Sequence, residues 1–578
     1  MTGPAAPKDP EKARPFFYIL KDKDIFGERQ KDGTGIQFIY ESDGRLINSA
    51  QITGNVTDKE ELTLLETVEG FGRLVHSIGV SVETDRPEET AEFVFQMYGK
   101  KDLYGGGTNL TTSLKCDGME HRIYLSDYRW TEDDHVPGQI KILFAAPERM
   151  GKVSVRLFLN DGYEAPPEEE DLFIDMHSEE YCGMISRSLL QLGNPYRIRK
   201  AIEKSKAGKE VTLAYIGGSI TQGAGAIPIH TECYAYKSFQ LFQNRFSTQN
   251  NVRFIKAGVG GTPSELGMIR FDRDVLREGE RPDIVVIEFA VNDEGDETKG
   301  VCYESLVRKV LKLPWKPAVV LLFSVFANDW NLQERLRPVG DLYDLPMVSI
   351  LNAVTPQFSL KCGEGRILSK NQFFYDMLHP NNTGHTIMAD CLQYLFERCD
   401  AAEPARVGTF VEGMTEEQIL SEKLFGPAVI GADFERIFLL DKKNRYVGAK
   451  IRTGSFTSTD IELQSVEMDG SLTQTPEFPY NWMYDGSRPQ MPGFEMEITC
   501  KSLFLIFKDS GEMDVGKADV FVNDVYCMTA DPHKNNWLHC NAVLLFWETE
   551  SRSHKVRITV TEEDQNKKFT ILGFGYTI

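Results

Sequence analysis

Five short runs near the middle of the chain are apolar almost without a break: VTLAYIG (211–217), VRFIKAG (252–258), DIVVIEFA (283–290), AVVLLFSV (318–325) and MVSIL (347–351). A strand with one face in water alternates polar and apolar residues. A strand that is apolar throughout must be covered on both faces. Helical stretches such as YAYKSFQLFQNRF and CYESLVRKVLKL separate these runs. The alternation predicts a parallel sheet with helices on both sides, of the α/β class. Its crossovers should be right-handed, and an active site should lie at the carboxyl ends of its strands. NPYRIRKAIEKSKAGKE, just ahead of the first run, reads as a helix that packs with this domain.

The pattern changes on either side. From about Phe16 to Asp161, segments such as GIQFIYE, RLVHSIGVSVE, AEFVFQMYG, HRIYLS, QIKILFAAP and KVSVRLFLN are short and rich in β-branched and aromatic residues. Many short strands punctuated by Gly, Asp and Pro predict a β-sandwich. YEAPPEEEDL (163–172) then reads as a linker. After about Cys399 the β character returns in FERIFLL, YVGAKIRTG, FEMEITC, SLFLIFK, DVFVND, NAVLLFW, KVRITVT and KFTILGFGY. The expected organisation is multidomain: a sandwich over 1–165, an α/β domain over 166–400, and a second sandwich over 401–578. No repeat of clear period is present.

Composition narrows the partners. The chain carries 86 Asp and Glu against 64 Lys and Arg, a net charge of −22. An acidic surface repels phosphate backbones and anionic lipid, so neither nucleic acid nor membrane is an expected partner. No apolar run approaches the ~18 residues of a spanning helix. The start, MTGPAAPKDPEKARP, is polar and lacks the apolar stretch of a secretory signal. A cytoplasmic protein is expected, unless a leader has been removed. The ten cysteines are scattered without a C-x-x-C pair, and Cys302, Cys391 and Cys500 sit in apolar or helical contexts. No disulfide framework, metal site or cofactor is expected. No H-E-x-x-H or P-loop pattern occurs.

The residues that carry chemistry follow the ends of the apolar runs. GGSITQG (217–223) places Ser219 on a Gly-rich strand-to-helix turn. Such a serine has an exposed hydroxyl and a free amide beside it, which suits a nucleophile. A helix-capping serine is the structural alternative. DMLHPNNTGH (376–385) holds Asp376 and His379 three residues apart, ahead of a helix capped by Asn382 or Thr383. A carboxylate that near can fix the imidazole's tautomer. AGVGGT (257–262) offers the Gly261 N–H, and FAVND (289–293) offers the Asn292 amide. Strand-end turns are the alternative for each. His385, Asp293, Glu288, His230 and Cys233 read as structural.

Taken in order, GGSIT, AGVGGT, AVND and DMLHP resemble the four sequence blocks of the SGNH (GDSL-type) hydrolases. The resemblance covers roughly residues 190–398. It implies a five-stranded parallel flavodoxin-like sheet, with Ser219 as nucleophile, His379 as general base and Asp376 orienting it. It implies an oxyanion hole from the Ser219 and Gly261 amides and the Asn292 side chain. Two departures stand out: Gly218 replaces the family's usual Asp, and Ala290 replaces the Gly of its Gly-x-Asn-Asp. The α/β-hydrolase family fits less well, because GGSIT lacks the closing glycine of G-x-S-x-G.

An SGNH core between jelly-roll-like sandwiches is similar to the layout of carbohydrate esterases that deacetylate xylan or mannan. GGSITQGAGA with a Tyr-rich helix after it also resembles polysaccharide deacetylases of gut Firmicutes. Tyr480, Trp482, Tyr484 and Trp537 lie in turn-like settings, where aromatic faces could stack on sugar rings. The expected substrate is therefore an acetylated oligosaccharide. Other readings are an esterase or thioesterase for small acyl metabolites, and a glycan-binding scaffold with an inert core. Either sandwich could instead pair two copies into a homodimer.

Overall fold

The computed structural model describes residues 12–39, 46–101, 105–168, 170–277, 279–402, 416–469, 474–488 and 492–578. Most of the polar N-terminal stretch, and the chain just after the expected junction at 400/401, lie outside the described residues.

The central sheet has the side-by-side order Leu189–Gln191, Met347–Ser349, Ala318–Phe323, Ile284–Glu288, Val211–Gly217, Val252–Gly258. The last five strands run parallel. Counted along the chain they stand in the order 2-1-3-4-5 across the sheet. Leu189–Gln191 joins the edge antiparallel to Met347–Ser349. The five-stranded parallel sheet expected from the sequence is therefore a mixed sheet of six. Its edge strand is three residues long, too short to show any periodicity.

Each face of this sheet is covered, as its apolar strands require. On one face, Ile198, Ala201, Phe242, Phe246, Leu392 and Phe396 come from the helices Tyr196–Lys206, Tyr234–Phe246 and Asn382–Asp400. On the other, Leu266, Ile269, Leu306 and Val310 come from Ser264–Phe271 and Val301–Leu311.

The N-terminal region has two antiparallel sheets, of four and five strands, around one core. It also holds three helices that its strand-like sequence pattern does not suggest: Leu46–Thr53, Lys59–Leu64 and Val68–Leu74. The last two start at local caps. Asp58 accepts from the Glu60 and Glu61 amides, and Thr67 accepts from Gly70.

The C-terminal region is also built of antiparallel strands. Eight antiparallel strands are hydrogen-bonded into one continuous sheet. Two long strands carry it, Phe494–Asp509 and His539–Val560. They pair along their length, with register shifts at Cys500/Ser502 and Leu503/Phe504. One side of this sheet enters the central domain: Phe504, Ile506 and Leu572 share a core with Leu266 and Ile269. No helix among the described residues is long and apolar enough to cross a membrane.

A buried arginine ties the strand ends together. Arg270 donates from Nη2 to the Gly217 carbonyl (2.7 Å), and from Nη1 to the Ala257 carbonyl (2.6 Å) and to Asp274 Oδ2 (3.0 Å). Its side chain is 1% exposed. Replacing it removes one donor from each of two carbonyls, of which Gly217 O keeps Val259 N (3.2 Å), and half of an ion pair. Arg270→Leu is expected to lower unfolding free energy by about 3 kcal/mol, read from urea denaturation; a loss within error of zero would show that the guanidinium holds nothing.

Candidate active site

The Ser219 turn is built by close approach. Strand Val211–Gly217 ends at Gly217 and helix Ser219–Gln222 begins at once, with Gly218 between them. A Cβ on Gly218 would stand 2.2 Å from Asn292 Oδ1 and 2.5 Å from Asn292 Nδ2. The departure from the family's usual Asp thus has a steric reason in this chain: the Asn292 amide occupies the space that side chain would need. The same contact lays the amide beside Ser219.

His379 reaches Ser219 from the opposite loop. Its Nε2 lies 3.0 Å from Ser219 Oγ, and its Nδ1 lies 2.9 Å from Asp376 Oδ2. Asp376 Oδ1 also accepts from the Leu378 and His379 amides, at 2.8 Å each. An ionised carboxylate only accepts, so the hydrogen of the neutral ring sits on Nδ1. Nε2 is then free to accept from the serine hydroxyl. The helix that follows is capped by Asn381, whose side chain accepts from Gly384 N; the cap lies one residue before the positions expected.

Burial and charge set the protonation states. Burial alone raises the Asp376 carboxyl, but the His379 ring and the two amides outweigh it, and the net shift is downward. Burial alone lowers His379; the Asp376 charge and hydrogen bond, with a further push from Glu288, lift it above its ordinary 6.5. Glu288, buried beneath the site, is pushed up to about 7 by desolvation, against its hydrogen bond from Thr221 Oγ1 (3.1 Å).

Two loops complete the rim. Strand pairing sets Gly217 abreast of Gly258 on one side and Glu288 on the other. Gly261 has φ +70°, a conformation that favours glycine. A Cβ there would also meet Trp537 at 2.8 Å and His539 at 2.9 Å. Neither the Gly261 N–H nor Asn292 Nδ2 donates to a protein group among the described residues. The loops are fixed to each other, because Asp293 Oδ1 accepts from Ser264 N (2.7 Å) and Glu265 Oε1 from Thr298 N (2.7 Å). Desolvation raises Asp293 well above the usual carboxylate range, with a further push from Asp296. That carboxyl serves as a loop clasp.

The remaining sequence candidates separate clearly. Trp537 is 45% exposed and stands against Gly261. Tyr480 is 44% exposed, beneath the Lys443 ammonium. Trp482 and Tyr484 are each 4% exposed in the C-terminal core, so the expectation that they meet sugar fails. Trp482 packs on Phe494 and Phe574, and Tyr484 donates its hydroxyl to Gln565 O. His385 is structural: Nδ1 accepts from Tyr234 N and Nε2 donates to Ala224 O. Gln222, Gln464 and His539, which contact the Gly260–Gly261 backbone, were not singled out from sequence. Only Gln222, inside GGSITQG, lies in a recognisable motif.

A doubly wound sheet with this serine, histidine and aspartate chain at its carboxyl rim defines a class, the SGNH-type hydrolases. Residues 215–387 match the GDSL-like Lipase/Acylhydrolase family, and the chain carries a hydrolase domain of that type. The fold is similar to the crystal structure of a two-domain esterase, CEX, active on acetylated mannans. That match has 23% identity and a TM-score of 0.54, and covers 68% of this chain and 98% of the other. The same esterase co-crystallised with mannopentaose matches at 24% identity and a TM-score of 0.53, with the same coverage. No curated protein sequence matches the chain closely enough to stand as a relative.

An NMR titration of the histidines checks the electrostatics. His379 is expected to gain its proton at a midpoint above 6.5, because the partner carboxylate favours the charged ring. In Asp376→Asn only the weaker push from Glu288 still opposes burial, and the midpoint should fall. His385 should stay neutral down to about pH 3. A His379 midpoint that ignores Asp376→Asn would contradict the assignment.

Proposed function

We propose that this chain is a serine esterase that removes O-acetyl groups from plant-type oligosaccharides derived from xylan or mannan. The observation that carries the reading is the continuous hydrogen-bonded line from Asp376 through His379 to Ser219 Oγ, at 2.9 and 3.0 Å.

The chemistry follows from that line. Ser219 Oγ attacks the acetyl carbonyl carbon as His379 Nε2 takes its proton. A new O–C bond forms and the carbonyl oxygen becomes an oxyanion, facing the Ser219 and Gly261 amides and Asn292 Nδ2. The ester C–O bond then breaks, and the sugar hydroxyl leaves with the proton from His379. Water, deprotonated by the same imidazole, attacks the acyl-enzyme and releases acetate.

The sugar class rests on two supports. Trp537 offers a half-exposed indole beside Gly261, where a ring bearing the acetyl group could stack. The CEX structures share this fold, and that esterase acts on acetylated mannans. Among the sequence-picked aromatics we retain Trp537 for substrate contact. Among the described residues, Tyr480 makes no contact with Ser219 and stands instead beneath Lys443.

Acetate release from acetylated manno- and xylo-oligosaccharides tests the reading. Wild type should release acetate, and Ser219→Ala should release none. Asn292→Ala should lower kcat by about a hundredfold. Trp537→Ala should raise KM for oligosaccharide and leave 4-nitrophenyl acetate turnover close to wild type. Cleavage of short thioesters ahead of acetylated sugars would replace this reading with one for small acyl metabolites.

A further inference from the structure

The Gly260–Gly261 segment has four backbone groups, and three are held by side chains. Gln222 Oε1 accepts from Gly260 N (2.8 Å), Gln464 Nε2 donates to Gly260 O (2.9 Å), and His539 Nε2 donates to Gly261 O (3.1 Å). The fourth, the Gly261 N–H, donates to nothing among the described residues. Gln464 and His539 both belong to the C-terminal region, more than 200 residues away in sequence.

We propose that Gln464 and His539 are positioning residues that aim the Gly261 N–H at the reacting oxygen, so that the C-terminal sheet is part of the catalytic apparatus. The inference rests on the esterase reading above. Its physical basis is the peptide unit itself. The Gly260–Gly261 bond is trans, so its C=O and N–H point in opposite directions. Gripping the carbonyl on the side of the C-terminal sheet therefore turns the N–H away from that sheet. The central domain lies that way: a Cβ on Gly260 would be 3.9 Å from Ser219 Cβ. Hydrogen bonding at the carbonyl also polarises the amide and strengthens its N–H as a donor.

Both side chains are themselves fixed. Gln464 is 7% exposed, and its Oε1 accepts from Cys540 N (2.9 Å), so its amide cannot turn over without losing that bond. His539 is 6% exposed, and with its hydrogen on Nε2 its Nδ1 accepts from Asn535 Nδ2 (3.3 Å), which also donates to the buried Asp509 Oδ2. The line Asp509, Asn535, His539, Gly261 carbonyl thus runs from the C-terminal core to the rim. A left-handed glycine at Gly261 would otherwise be among the least restrained points of the loop.

The test uses the full-length protein and 4-nitrophenyl acetate, a substrate too small to need the C-terminal sheet for binding. Gln464→Glu keeps the acceptor for Cys540 N but removes the donor to Gly260 O. Gln464→Leu and His539→Ala remove the contacts outright, and His539→Gln keeps an N–H donor. Displacing the peptide should lower kcat roughly 10- to 100-fold with KM within about twofold, while His539→Gln recovers part of the loss. A melting curve on each variant establishes that it folds. Where Gln464→Leu does not fold, Gln464→Glu and the His539 pair carry the test. Unchanged kcat in folded variants, or a rise in KM alone, overturns the proposal while Ser219→Ala stays inactive. Full activity in Ser219→Ala would instead overturn the esterase reading on which the proposal stands.

Discussion

Parallel register across three neighbouring strands is the constraint on which everything else depends. It sets Gly217, Gly258 and Glu288 abreast, so the loops carrying Ser219, Gly261 and Asn292 leave the sheet at one level. Arg270 tightens two of those ends by taking the Gly217 and Ala257 carbonyls in one guanidinium. The turn at Ser219 has little room to relax, since Asn292 fills the space beside Gly218. The remaining partner, His379, comes from the far end of the domain and must be brought to the rim by other means.

The flanking regions supply those means on both sides. From the N-terminal sheet, the buried Lys23 ammonium donates to the Phe374 and Asn371 carbonyls, just ahead of Asp376. Asn371 O in turn accepts from Asn381, the cap of the helix after His379. From the C-terminal sheet, Gln464 and His539 hold the Gly260–Gly261 backbone. The Asp376–His379 loop is thus steadied by one flank and the Gly261 loop by the other. The central domain contributes Ser219, Asp376 and His379, and its neighbours limit how far these side chains can drift.

What the sequence made legible follows the range of the forces involved. The five parallel strands showed in their apolar runs because burial on both faces writes itself into every residue. Ser219, Asp376 and His379 showed because each lies in a short local motif. Strand boundaries in the C-terminal region were less legible, for a reason of scale. FEMEITC and SLFLIFK looked like two separate strands, yet they form one, whose register with its partner shifts between Cys500 and Ser502. NAVLLFW and KVRITVT likewise lie in one strand, joined through ETESRSH, whose side chains are mostly exposed. Trp482 and Tyr484 resembled surface aromatics because turn-like neighbours surround them, while the core that buries them is assembled from distant strands. Gln464 and His539 left no local trace, since their partners at Gly260 and Gly261 are brought close only by docking of the sheet.

The shared core between the C-terminal sheet and helix Ser264–Phe271 bears on how such a chain can change over generations. Phe504, Ile506 and Leu572 belong to the same buried cluster as Leu266 and Ile269. Recombination that exchanged the C-terminal sheet for another would bring an unmatched surface into that interior. The two regions cannot then be traded as cassettes. They are bound to diverge together, each accepted change on one side narrowing the changes the other can accept.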